Sequence, residues 1–96
     1  VRDSQLAGNT FGAYALSSSG AAVSLVAGGN VVTLTSQEAI AADGAGARVW
    51  ASGNIVTGNG TGLAALAGGL FESAGDNAVR DNGADNSGTI AVVALQ

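Results

Sequence analysis

The sequence predicts an all-β fold: a β-solenoid of about four coils, in which the short strands of successive coils stack in parallel. Three observations predict it. The 96-residue chain repeats a pattern about every 20–26 residues, Gly and Asn fall inside every interval, and apolar residues come in short alternating runs. Such an interval marks a stacked-repeat protein, and Gly and Asn disfavour helical repeats. Short alternating runs between turn residues indicate strands.

The repeat becomes visible when the chain is written in rows that each begin with an apolar residue. The rows are residues 1–22, 23–48, 49–70 and 71–90, and a half-row, 91–96, closes the chain. Each row is expected to form one coil of two or three strands, with coils about 4.8 Å apart. Gly and Asn suit the corners because both tolerate left-handed backbone angles.

Residues that share a column are expected to stack along the solenoid axis and to supply its core. The expected columns, in row order, are Val1, Val23, Val49 and Phe71; Asn30, Asn54 and Asn77; Leu6, Val32, Val56 and Val79; Asn9, Thr35, Asn59 and Asn82; and Ala13, Ile40 and Leu63. An Asn above an Asn would continue a ladder of side-chain hydrogen bonds along the axis.

The composition narrows the functional classes. There is no Cys, so disulfides and thiolate metal sites are excluded. The net charge is −4 with only three basic residues, which disfavours nucleic acid because its binding needs clustered cations. No apolar run approaches the roughly 20 residues of a membrane helix, so we expect no membrane span. No phosphate-binding motif is present. A nucleophilic catalytic triad is excluded because the chain has neither His nor Cys. We also expect no cofactor.

The chain is expected to form a single β-solenoid domain over residues 1–96 that belongs to a longer solenoid. It opens at Val1 without an initiator Met, as a processed or excised piece would. Stacked repeats normally finish in a polar capping element, and the sequence shows none. We therefore expect self-association through the solenoid ends or its lateral faces.

Two phrases carry a resemblance to a known family. SGNIVTGNGTGL at 52–63 and GNTFGAYAL at 8–16 both place Gly-Asn before a short strand and Gly before small apolar residues. The pattern resembles the degenerate repeat of right-handed parallel β-helix proteins, the pectate-lyase-like fold. The resemblance implies a right-handed solenoid, and the row length favours that form over left-handed helices with hexapeptide coils. Family lyases use acidic calcium ligands and an Arg or Lys base, but no catalytic residue of this chain matches such a motif.

Two aromatic residues are candidates for contact with a ligand or partner. Strand alternation directs Trp50 outward beside the inward Val49, in a column with Arg2, Ser24 and Glu72. An exposed Trp flanked by polar groups would stack on a sugar ring or anchor a partner; the alternative is that it lies under a loop.

Tyr14 is predicted to point outward beside Ala41 and Ala64. It is either a second contact or simply a surface aromatic residue over small neighbours.

The segment 72–86 holds a cluster of acidic residues near a basic one: Asp76, Arg80, Asp81 and Asp85. Clustered carboxylates suit calcium, but the spacing fits neither the EF-hand nor the calcium-binding nonapeptide repeat. Asp is also an ordinary turn residue, and Arg80 beside Asp81 would form a surface ion pair. We therefore predict solvated turns here, with no metal and no catalytic residue.

These observations favour a non-catalytic structural or binding module, carbohydrate- or surface-associated, at the cell surface or outside the cell. The alternative is a fragment or relative of a polysaccharide lyase or hydrolase. Acidic residues beside a basic residue in a groove on one sheet would favour the enzyme, whereas acidic residues spread around the turns would favour the module. A third alternative is a deliberately designed minimal solenoid.

Overall fold

A computed structural model describes residues 1–17 and 20–93 of the chain. The strands, in chain order, are β1 (Gln5–Ala7), β2 (Ala13–Leu16), β3 (Val23–Gly28), β4 (Val31–Thr33), β5 (Glu38–Asp43), β6 (Ala47–Ser52), β7 (Ile55–Thr57), β8 (Thr61–Leu66), β9 (Leu70–Ser73), β10 (Ala78–Arg80), β11 (Ala84–Ser87) and β12 (Ile90–Val92). Three consecutive strands make one coil, so the coils are β1–β3, β4–β6, β7–β9 and β10–β12.

Strands of successive coils pair in parallel and form three sheets of four strands. Sheet 1 contains β1, β4, β7 and β10; sheet 2 contains β2, β5, β8 and β11; sheet 3 contains β3, β6, β9 and β12. The predicted fold class, a parallel β-solenoid of about four coils, is thus confirmed. No helix long and apolar enough to cross a membrane occurs within residues 1–17 and 20–93.

The interior is lined by stacked apolar columns, as the sequence predicts. Leu6, Val32, Val56 and Val79 pair in register along sheet 1. Val32 and Val56 are completely buried, whereas Leu6 and Val79, in the first and fourth coils, are only partly buried. Ala13, Ile40 and Leu63 likewise pair in register along sheet 2 and lie in the same core cluster.

The column of row-heading residues is predicted only in part. Val49 does pair with Phe71, but the residue of the first coil that pairs with Val49 is Leu25. Val23 pairs instead with Ala47, so the prediction is shifted by two residues. The turn lengths explain the shift: Val23 follows Leu16 by seven residues, whereas Ala47 follows Asp43 by four. Val1 is outside this column as well, because its neighbour Arg2 bridges to Gly28.

The corner between sheet 3 and sheet 1 carries the first asparagine ladder, formed by Asn30, Asn54 and Asn77. Asn30 Nδ2 donates to Asn54 Oδ1 at 3.1 Å, and Asn54 Nδ2 donates to Asn77 Oδ1 at 2.8 Å. The backbone N–H groups of Asn30 and Asn54 donate to the same oxygens. Because Asn30 and Asn54 are almost fully buried, the ladder supplies the hydrogen bonds that their corners need.

The corner between sheet 1 and sheet 2 carries a second ladder, formed by Thr35, Asn59 and Asn82. Asn59 Nδ2 donates to Asn82 Oδ1 at 2.9 Å and to the Val32 carbonyl at 3.0 Å. The Thr35 backbone N–H donates to Asn59 Oδ1, but the Thr35 hydroxyl oxygen is buried without a hydrogen-bond partner. Thr35 therefore continues the ladder through its backbone alone.

Candidate functional site

Strand β6 places Trp50 on the outer face of sheet 3. Val49 and Ala51 on either side of it are buried in the core, so alternation directs the indole outward, where it is half-buried. The outward prediction agrees with this geometry. Trp50 pairs with Val26 in the coil before and with Glu72 in the coil after.

Of the three residues predicted to neighbour Trp50, Glu72 is correct, whereas Arg2 and Ser24 are wrong. Ser24 pairs with Arg48, one position along the outer face, and Arg2 bridges to Gly28. The two-residue shift of the row head explains the displacement of Ser24. An arginine that was not assigned to this face from the sequence, Arg48, lies two residues before Trp50 on β6 and shares its outer face.

A shallow groove of about 180 Å³ lies on this face and is named here the Trp50 groove. Its lining residues are Ser24, Leu25, Val26, Arg48, Val49, Trp50 and Glu72. Arg48 lies two residues before Trp50 on the same strand and Glu72 lies beside Trp50 on the next, so a positive and a negative side chain both neighbour Trp50 on this face. The groove therefore combines a flat apolar surface with guanidinium donors and carboxylate acceptors.

Tyr14 lies on the outer face of sheet 2, in register with Ala41 and Ala64 as expected. Its ring contacts that of Phe11 edge to face, with centroids 4.6 Å apart, and its hydroxyl donates a hydrogen bond to the Asp43 carboxylate. This hydrogen bond, with partial desolvation and the charge of Asp43, raises the pKa of Tyr14 to about 12.

Glu38 completes the surroundings of Tyr14. Its negative charge contributes to the raised pKa of the tyrosine, and its Oε2 atom is buried without a hydrogen-bond partner. We name the group of Phe11, Tyr14, Glu38 and Asp43 the Tyr14 cluster. Of these four residues, only Tyr14 was predicted from the sequence. One signal was within reach, because Asp43 lies two residues after Ala41 and so shares its outer face.

The acidic segment is distributed over corners and one strand. Asp76 Oδ1 accepts the backbone N–H of Gly53 at 2.9 Å, and Asp85 Oδ1 accepts the Asn82 amide nitrogen at 3.1 Å. Asp81 adopts a left-handed backbone conformation at the corner that follows β10. In the described part of the chain, no three His, Cys, Asp or Glu side chains come close enough to hold a metal ion.

Arg80 is the last residue of β10 and is exposed on sheet 1, in register with Thr57. Two other acidic side chains of the segment act in turns: Asp76 at one corner and Asp85 at the end of the second ladder. Turn and ladder contacts therefore account for Asp76 and Asp85.

Fold and surface together define a parallel β-solenoid with a lateral aromatic groove. Comparisons with protein-family models, with characterised proteins and with solved structures find no match to this chain. The function of the chain is therefore inferred from the chemistry of its outer faces.

Proposed function

We propose that the chain is a non-catalytic binding module in which the solenoid is the scaffold and the Trp50 groove is the ligand site. The ligand we propose is a carbohydrate. The observation that carries the proposal is that the half-buried indole of Trp50 shares one groove with the charged side chains of Arg48 and Glu72. A pyranose ring offers an apolar face for the indole and hydroxyl groups for both charged partners.

The scaffold suits this role because the groove is built on strands. β3, β6 and β9 hydrogen-bond to one another through continuous registers, and the inner faces of Val49 and Phe71 are fully buried. The backbone beneath the indole is therefore fixed by core packing on one side. A fixed site loses little conformational entropy on binding, which favours recognition by a shallow surface.

The test uses the fluorescence of Trp50, which is the only tryptophan in the chain. Soluble oligosaccharides, neutral and acidic, are titrated into the protein, and we expect a saturable change in emission for at least one of them. Affinity electrophoresis in polysaccharide gels then compares the parent with Trp50→Ala, which should lose the retardation, and with Tyr14→Phe on sheet 2, which should keep it. Equal migration of the parent and Trp50→Ala in every polysaccharide would refute the proposal.

A polysaccharide-cleaving enzyme is the second candidate, because one acidic and one basic residue do share the groove. Only one carboxylate, that of Glu72, is among its described lining residues. A hydrolase needs two carboxylates, so support for the enzyme is weaker than for the module. Turnover of any polysaccharide that disappears in both Arg48→Gln and Glu72→Gln would favour the enzyme.

Kinship with the pectate-lyase-like family and a right-handed coil are also proposed. Support for the handedness comes from a general rule, since parallel strands of one sheet are joined by right-handed crossovers in nearly all known cases. Support for the kinship comes from the repeated Gly-Asn phrases and the three-sheet coil.

Self-association and a location at the cell surface or outside the cell complete the proposed function. Exposed apolar side chains on the outer faces, such as Leu16, Val26 and Ile55, support lateral self-association. Analytical ultracentrifugation at several concentrations tests it. A discrete oligomer would support a closed interface, and a strict monomer at high micromolar concentration would refute it.

A further inference from the structure

The two ends of the solenoid are unlike edges of the same three sheets. In each sheet the outermost strands belong to the first coil and the fourth coil. All strand pairs between successive coils are parallel. A parallel ladder is continued by joining unlike edges, so the fourth coil of one copy fits the first coil of another.

The end formed by β10, β11 and β12 exposes residues of the inner columns. Val92 continues the column of Ala27 and Ala51. Both alanines are completely buried, whereas Val92 is 74% exposed. Val79 and Ile90 pack against the core as well and are only partly buried. This end therefore presents apolar surface that a following coil would remove from water.

The end formed by β1, β2 and β3 offers apolar residues in the same columns. Leu6 heads the column of Val79, and Leu25 heads the column of Ile90. Both leucines are partly buried against the core. Stacking of one copy on another would therefore match three apolar pairs: Val79 with Leu6, Ile90 with Leu25, and Val92 with Ala27.

The second ladder ends at Asn82 with a substitute acceptor. The backbone N–H and Nδ2 of Asn82 both donate to Asp85 Oδ1, at 3.4 and 3.1 Å. In the coil before, the same two groups of Asn59 donate to Asn82 Oδ1, both at 2.9 Å. The Asp85 carboxylate thus takes the place of an amide oxygen from a following coil, with longer hydrogen bonds.

Asn9 holds the position of this ladder in the first coil. Its carbonyl accepts a backbone N–H of the next coil, just as the Thr35 and Asn59 carbonyls do. The Asn9 side chain is exposed. Because each ladder Oδ1 accepts from the coil before its own, the Asn9 amide is the acceptor that Asn82 of another copy would use.

We propose that the fourth coil of one copy binds the first coil of a second copy, so that the chain assembles head to tail along the solenoid axis. β10, β11 and β12 pair with β1, β2 and β3 of the second copy, and Asn82 donates to Asn9 in place of Asp85. Residues 1–3, which now bond to the end of β3, leave it to Val92 and Val93 of the first copy. This contact depends neither on the carbohydrate proposal nor on lateral self-association.

A designed disulfide tests the predicted register. Ala7 and Arg80 are exposed at opposite ends of one outer column of sheet 1, separated by Thr33 and Thr57. Within one chain they lie three coil steps of about 4.8 Å apart, beyond the Cα separation of about 7 Å that a disulfide tolerates. In the stack, Arg80 of one copy pairs with Ala7 of the next.

The chain has no cysteine, so every disulfide comes from the introduced pair. Under mild oxidation at high micromolar concentration, Ala7→Cys/Arg80→Cys should form a series of linked oligomers on non-reducing gels. Each single variant should remain unlinked. A double variant that remains monomeric, or single variants that link equally well, would overturn the proposal.

Analytical ultracentrifugation separates this contact from a lateral one. Val92→Asp should weaken association at least about a hundredfold, because stacking would bury an unpaired charge. Val26→Asp places the same charge on the outer face of sheet 3 and should leave the stacking intact. Both positions are more than half exposed, and circular dichroism checks that each variant is folded. Association that is lost in Val26→Asp and kept in Val92→Asp would overturn the proposal in favour of the lateral contact.

Discussion

Truncation of Asn54 to alanine would test whether the first ladder holds the coils together. The Asn54 side chain accepts hydrogen bonds from the backbone and the amide of Asn30, at 3.0 and 3.1 Å. It donates to the Ala27 carbonyl at 3.0 Å and to Asn77 Oδ1 at 2.8 Å. Asn54→Ala removes all four bonds from a position that is 1% exposed.

The expected loss of stability follows from the buried polar groups that lose their hydrogen-bond partner. The buried N–H of Asn30 and the Ala27 carbonyl each lose a partner, and an unsatisfied buried group costs about 1–3 kcal/mol. We therefore expect Asn54→Ala to lower the free energy of unfolding by about 2–6 kcal/mol. A domain of this size has about 5–15 kcal/mol in total, so the variant would be marginal or unfolded at room temperature.

Urea unfolding, followed by circular dichroism and Trp50 fluorescence, measures this loss. Asn9→Ala, at an exposed position in the first coil, is the matched control and should change stability by less than about 0.5 kcal/mol. If Asn54→Ala and Asn9→Ala lose the same small amount, the ladder is not a stabilising element. Thr35→Asn is expected to have the opposite effect. It would replace a buried hydroxyl that has no hydrogen-bond partner with an amide that can continue the second ladder, and we expect the free energy of unfolding to rise by about 1 kcal/mol.

Three further predictions concern other elements. Val56→Asp places a charge at a completely buried position and should abolish cooperative urea unfolding, whereas Val26→Asp, on the exposed outer face, should not. Leu34→Gly should raise the melting temperature, because Leu34 is 70% exposed and holds a left-handed φ of 57°; a lower one would contradict this reasoning. Ultraviolet titration of Tyr14 should give a pKa near 12, and Asp43→Asn should lower it.

The pH dependence of stability follows from the sign of the Tyr14 shift. Folding raises the pKa of Tyr14 from 10.0 to about 12, so the folded state favours the neutral phenol. The stabilisation is complete below pH 10 and is lost as the pH rises toward 12. In Tyr14→Phe this part of the alkaline loss should be missing from denaturation curves measured across that range.

The interior of the fold was predictable because like residues recur at nearly constant spacing. Val32 and Val56 are 24 residues apart, and each follows a corner Asn by two residues. The row heads were less predictable because the turn between sheet 2 and sheet 3 varies in length. Apolar residues at both Val23 and Leu25 fit the pattern equally well, and only the hydrogen-bonded register separates them.

The left-handed backbone at Leu34 was not predictable from the sequence, for a different reason. The four residues at this corner all adopt a positive φ: Gly8, Leu34, Gly58 and Asp81. Glycine and aspartate in a sequence indicate that a left-handed backbone is possible. Leucine gives no such indication, because it rarely adopts positive φ values. The surroundings of Tyr14 were hidden for another reason: Glu38 and Phe11 lie where strands begin, and side-chain direction at a corner does not follow strand alternation.

The constant offset between paired strands also has a kinetic consequence. Each new coil closes a loop of about the same size, since Val32 pairs with Val56 and Val56 with Val79 at separations of 24 and 23 residues. The loss of loop-closure entropy is therefore about the same for each added coil and is not concentrated in one large step. Once a first pair of coils has nucleated, the following coils add as in a one-dimensional chain with nearest-neighbour coupling. A chain extended by further coils of this sequence should become more stable with each coil while its nucleation step stays unchanged.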